Sequence, residues 1–211
     1  MHQLRNTVLV VALGVLVSAC GQGASSATPT ASPSPVSAPP TPEPTPMPRA
    51  VDLVAIVVAK GAPPSGLVHD NTVEGPTALV RLVVSRRASQ FSALDGFTAG
   101  RYSEFSGERG VLLSLGLLFD TVDNAERAFD LYLDELLSDE GYGAGSGIEA
   151  GLGGEGTCAE FDNPALGGLH ENACIWRNGN LVLAAGGTLA PEEIHSIAEG
   201  MDASASSQLE P

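Results

Sequence analysis

A chain of 211 residues, 43% hydrophobic and 17% charged, is long enough for one domain with a real core. Its 25 Asp and Glu against 10 Lys and Arg leave a formal charge of −15, which argues against a nucleic-acid binder and against electrostatic adhesion to anionic lipid. Solubility accounts for that acidity more simply than an acidic docking face does.

The chain opens with a weakly basic start and an apolar run from Val8 to Val17. That run is far short of the roughly 20 apolar residues that span a bilayer, so it reads as a signal segment and not a membrane helix. Val17-Ser18-Ala19-Cys20 closes it. The small residues before a cysteine resemble the lipobox of bacterial lipoproteins, and the resemblance implies a signal peptide over 1–19 and a mature chain beginning at a lipidated Cys20. Several acyl chains hold a protein at a membrane far more firmly than one. The implied location is extracytoplasmic, anchored to a bacterial membrane at the cell surface or in the periplasm.

From 20 to 49 the sequence is mostly Pro, Ser, Thr and Ala, and nine of the fifteen prolines fall there, which marks a linker. Prolines at nearly every second position from Pro39 to Pro48 favour polyproline II. At about 3.1 Å per residue such a tether reaches on the order of 90 Å. Residues 50–203 are then a single globular domain, and 204–211 read as a disordered tail.

Val51 to Ala59 is apolar apart from Asp52 and fits either a short buried helix or a strand. Thr77 to Ser85 leans helical, with Val80, Val84, Ala88 and Phe91 at helical spacing. Gly100–Phe105 and Val111–Phe119 read as a hairpin whose second strand is apolar enough to lie at the sheet centre. Thr121 reads as a helix N-cap, with Val122, Ala125, Phe129, Tyr132 and Leu136 recurring as a buried stripe and the acids turned outward. A strand around 157–161 follows. Asn178-Gly179 predicts a type I′ turn between 172–177 and 180–185, with Trp176 facing Leu181 and Cys174 facing Leu183. A last helix starts at Pro191 and presents Ile194, Ile197, Ala198 and Met201 on one side. The sum is an α+β domain, an antiparallel sheet of about four or five strands with helices packed on it.

With Cys20 lipidated, Cys158 and Cys174 form an even pair outside the cytoplasm, most simply a disulfide. Closing that loop is worth about 3 kcal/mol in the chain-entropy model. The alternative is a nucleophilic thiol served by His170.

The succession of a Pro-Pro-x-Gly turn, a helix rich in Ala and Phe, a Gly-rich loop and an Arg-Asn-Gly-Asn hairpin resembles extracytoplasmic domains of bacterial lipoproteins. It is also similar to cell-surface sensor domains attached to some actinobacterial kinases. The resemblance rests mainly on Thr121 to Gly186 and brings no catalytic motif with it; it implies a binding or sensing module.

Motif by motif, catalysis finds little support. Gly151-Leu-Gly-Gly-Glu-Gly156 matches G-x-G-x-x-G, but it lacks the strand before and the helix after, and Glu155 would repel phosphate. A flexible surface loop is the better reading. Glu192, His195 and Glu199 fall on adjacent helical turns, the spacing of metal ligands and equally of a solvated face. Asp120, Asp123 and Asp130 lack the pattern of a calcium loop. No G-x-S-x-G occurs, and the single lysine, Lys60, forbids Ser-x-x-Lys. The expectation is a lipid-anchored binding or sensing module of the cell envelope that needs no cofactor or metal. Its candidate ligand contacts are Arg177, Trp176 and His170, and its partner is an envelope protein, polymer or small ligand, not nucleic acid. The competing expectation is an envelope hydrolase whose site assembles from His170, Arg177 and Glu155.

Overall fold

The apolar run that marks the sheet centre and the two turn signals around it organise one antiparallel sheet. A computed structural model describes residues 51–58, 63–163 and 167–209. The chain divides into Met1–Thr45 and Pro46–Pro211, and every described residue belongs to the second unit. Cys20, the signal segment and the Pro-rich linker lie outside the described residues.

The strands are β1 (Val68–Glu74), β2 (Phe97–Gly107), β3 (Gly110–Phe119), β4 (Ile148–Glu149), β5 (Glu155–Asn163), β6 (Leu169–Asn178) and β7 (Leu181–Gly187). They lie in the order β1-β2-β3-β7-β6-β5-β4, every neighbouring pair antiparallel. The architecture is α+β with seven strands. The two beyond the expected five are β1 and β4. β1 is a polar edge strand with a register shift between His69 and Asn71, and β4 is two residues long. Neither carries the apolar alternation that exposes a strand to sequence reading.

Successive side chains of a strand point to opposite faces, so the sheet sorts its residues into two cores. One face gathers Phe105, Leu112, Trp176, Leu181 and Leu183 under α1 (Leu53–Ile56) and α4 (Pro191–Leu209). The other gathers Tyr102, Leu115, Leu117, Ile175 and Val182 under a 3₁₀ segment (Gly75–Val80), α2 (Ala88–Ser92) and α3 (Val122–Leu137).

Thr121 caps α3 by accepting from the Asn124 N–H at 3.2 Å, and Ala125, Phe129, Tyr132 and Leu136 are buried. Two details of the expected stripe change. Val122 is 48% exposed, while Ala125, three residues on, is fully buried. Glu135 is buried, not turned outward, at 1% exposure. Its Oε1 accepts the backbone N–H groups of Val84 and Ser85, both at 2.8 Å. A continuous helix over Thr77–Ser85 would need those same two donors for the carbonyls four residues back. The carboxylate takes them instead, so the segment is a 3₁₀ turn followed by a separate short helix.

The β6–β7 hairpin pairs Asn178 with Leu181, so Gly179-Asn180 is the two-residue loop and not Asn178-Gly179. Gly179 carries the positive φ of 57°. Asn178 is unavailable as a turn residue because its amide donates to Asp202 and Ser206 on α4, at 2.9 and 2.8 Å. Trp176 consequently faces Leu183 and Cys174 faces Ala185, two residues along from the expected partners. A shift of two keeps the face where a shift of one would invert it, so the core assignment survives.

α4 continues to Leu209 with Ala205 fully buried, past the Ala203 boundary expected from composition. Gln208 accepts from the Asp52 N–H at 2.6 Å and donates to the Asp52 carbonyl at 3.3 Å, clamping the last helix to the first. Asp52 also caps α1 through the Val54 N–H.

Candidate functional site

The face under α4 closes unevenly. α4 covers β6 and β7, but its N-terminus at Pro191 stops short of β5 and β4. What it leaves is a groove of about 390 Å³, within the range of small-molecule sites.

The floor of the groove is the Cys158–Cys174 disulfide, joining directly opposed residues of β5 and β6. Ile148, 73% exposed, and Ile194, fully buried, form apolar walls. Ser146, Glu160, Glu192, Asn172 and His195 supply the polar groups, and among the described residues no Lys or Arg lines the space. Asn172 is directly opposite Glu160 and on the face of Cys174. It is 6% exposed; its Nδ2 donates to the Leu189 carbonyl at 2.8 Å, while its Oδ1 is buried with no hydrogen-bond partner. Leaving such an acceptor unpaired costs about 1–3 kcal/mol.

His195 Nε2 lies 3.0 Å from the Ala150 carbonyl, which can only accept, so Nε2 carries the proton. Nδ1 then faces Glu199 at 3.6 Å. Glu192 makes no third ligand with them: among the described residues no group of three or more His, Cys, Asp and Glu is placed to hold a metal ion.

The three residues named as ligand contacts do not converge. Trp176 is fully buried and donates from Nε1 to Asp202 at 3.1 Å, which makes it a core side chain and corrects its reading as a contact surface. Arg177 points to the opposite face beside Val182 and lies 3.6 Å from Glu155. His170 sits at the far end of β6, seven residues away or roughly 23 Å along the strand. It is 60% exposed, between Asp162 at 3.3 Å and Glu160 at 3.6 Å. His170, Arg177 and Glu155 therefore do not form one hydrolytic site.

The glycine-rich match also has another purpose. Leu152 is 4% exposed and joins the core, so the segment is docked and not a free surface loop. A Cβ on Gly153 would lie 2.3 Å from the Arg177 carbonyl oxygen. The glycine permits close approach to the hairpin, and its N–H donates to Asp202 Oδ2 at 3.1 Å. Asp202 thus holds Gly153, Trp176 and Asn178 at once. Sequence reasoning missed it, as it missed Glu135 and Asn172. Glu135 was accessible from spacing alone, three residues after Tyr132 on the buried stripe.

A small internal space of about 50 Å³ under α3 is lined by Glu135, Tyr142 and Glu171. Glu171, 3% exposed, has its carboxyl pushed above the ordinary range by burial, with the Asn163 amide opposing at 2.9 Å. Burial likewise raises the Tyr132 and Tyr142 hydroxyls.

The class defined by this geometry is an α+β domain with an antiparallel sheet between two helical layers. No protein-family model matches the chain, and no curated protein matches it. Among solved structures, the extracellular domain of PknH from Mycobacterium tuberculosis is similar, with a TM-score of 0.47 and 13% identity over 70% of this chain and 87% of that one. Among the described residues no helix is long and apolar enough to cross a membrane.

Proposed function

We propose that the protein is an extracytoplasmic binding or sensing module, held to a bacterial membrane by lipid on Cys20, that captures a ligand without turning it over. The observation that carries this reading is the groove over the Cys158–Cys174 disulfide. It combines apolar walls with a few polar groups, the usual composition of a ligand site. The disulfide supports an oxidising compartment. Val17-Ser18-Ala19-Cys20 supports the anchor.

Intact-mass measurement of protein recovered from membranes tests the anchor: the expected product begins at an acylated Cys20, and an unmodified Cys20 overturns it. A pull-down from envelope extract, run beside a panel of hydrolase substrates, tests the capture. One saturable ligand without turnover is the expected result. Turnover abolished by a single replacement at His170, Arg177 or His195 overturns the non-catalytic reading.

A further inference from the structure

We infer that the Cys158–Cys174 disulfide is a thiol–disulfide exchange site, attacked at Cys158 by a low-molecular-weight thiol that enters through the groove. The inference goes beyond capture: the groove serves as an entry path, and the bond on its floor is the reacting group. An exposed disulfide is labile where a buried one is inert, because exchange needs access to one of the two sulfurs. Here the two cysteines differ. Cys174 is 2% exposed, whereas Cys158 is only half-buried, and both line the groove.

Substitution at sulfur is in line, so the thiol must arrive on the side away from the sulfur that leaves. An approach to Cys174 would have to come from β7, where Ala185 stands opposite it and is 1% exposed. That side is sealed. An approach to Cys158 comes from β4, which covers β5 with two residues and places Ile148 opposite Cys158. Directly opposed side chains of antiparallel strands share a face, and Ile148 is 73% exposed, so it is a screen and not a seal. The incoming thiolate bonds to Cys158 Sγ as the bond to Cys174 breaks, and Cys174 leaves as a thiolate that takes up the proton the thiol had lost. Cys174 can then attack back and release the thiol. Otherwise a second thiol attacks the first and frees Cys158: two thiols are oxidised to one disulfide, and the protein gains two electrons and two protons. β5 and β6 are paired on both sides of the bond, from Glu155 with Arg177 to Asn163 with Leu169. The two cysteines therefore stay opposed when the bond opens, and the exchange is reversible.

The test uses the full chain in lipid nanodiscs, without denaturant, and dithiothreitol as the thiol. Alkylation quench with mass spectrometry follows the reduction, and Trp176 emission reports the fold. The expected rate rises in proportion to dithiothreitol concentration while the emission stays unchanged. Ile148→Ala should speed reduction at least about threefold, and Ile148→Trp should slow it at least about threefold. In the reduced protein, limiting iodoacetamide should label Cys158 at least about tenfold faster than Cys174.

A rate independent of dithiothreitol concentration, or reduction only after denaturant is added, overturns the inference, because the bond then opens through unfolding. Equal rates in the parent and both Ile148 variants overturn the in-line entry and the inference with it. Labelling of Cys174 as fast as Cys158 does the same. None of these results touches the pull-down, so the exchange site and the capture reading fail separately.

Discussion

The two faces of the sheet are built from the same strands but close differently. α3 lies over the sheet with Glu135 buried in its apolar stripe, and that carboxylate draws the Val84–Arg87 segment down as a cover. The result is a core with only a small internal space. α4 carries its buried-side polar anchor, Asp202, towards the C-terminal half, where it gathers the hairpin and the Gly153 segment. Its N-terminal half makes one polar contact there, His195 Nε2 to the Ala150 carbonyl between β4 and β5, and beside that contact the face stays open. Where a helix places its polar anchor decides which end of a face is sealed and which remains a groove.

The largest effect should come from breaking the closed face. Glu135→Ala takes the acceptor from the Val84 and Ser85 N–H groups and from the Ser85 hydroxyl, leaves Asp134 as the acid partner of Arg87, and should cost about 3 kcal/mol or more. Guanidinium denaturation reads the loss, and faster hydrogen exchange confined to 83–92 would place it. A loss below about 1 kcal/mol would mean that water replaces the carboxylate without penalty.

On the open face, replacing Cys158 and Cys174 together with Ala should cost about 3 kcal/mol through the unfolded chain. Non-reducing peptide mapping of the parent must show the pair joined; free thiols at both positions would remove the basis of the prediction. Asp202→Ala should cost about 2 kcal/mol, since Trp176 Nε1 keeps its burial and loses its acceptor. A red shift and broadening of Trp176 emission would accompany it.

The smallest effect sharpens the contrast by pH. The Glu171 carboxyl is raised in the folded state, so its contribution favours folding at low pH and is lost as pH rises through the raised value. Glu171→Gln keeps an acceptor for the Asn163 amide and should therefore be more stable than the parent at neutral pH, with the gap closing below the ordinary value of 4.5. Parallel stability curves for parent and variant across that window would show that Glu171 stays at its ordinary value.

The legible parts of the fold were those fixed by local chemistry. Thr121 announces α3, Pro191 announces α4, and the apolar run Val111–Phe119 announces an interior strand. What escaped was decided by polar side chains acting over long sequence distances. Asp202 pulls Asn178 out of the turn and moves the register by two residues, while Glu135 divides one expected helix into two. The groove was not legible at all. Cys158 and Cys174 announce a staple, and nothing in their spacing says that α4 stops short of β5. Trp176 and Arg177, neighbours in sequence, fall on opposite faces, as strand geometry requires.

The clamp between Asp52 and Gln208 has a mechanical consequence. Any pull transmitted through the chain before Val51 enters the domain at the C-terminal end of α4, while the groove lies at its N-terminal end beside His195. Thirteen residues of helix, about 20 Å, separate the two points. A pull applied ahead of Val51 would therefore be borne by α1, the end of α4 and the strands under α1, and the groove would keep its shape under that load.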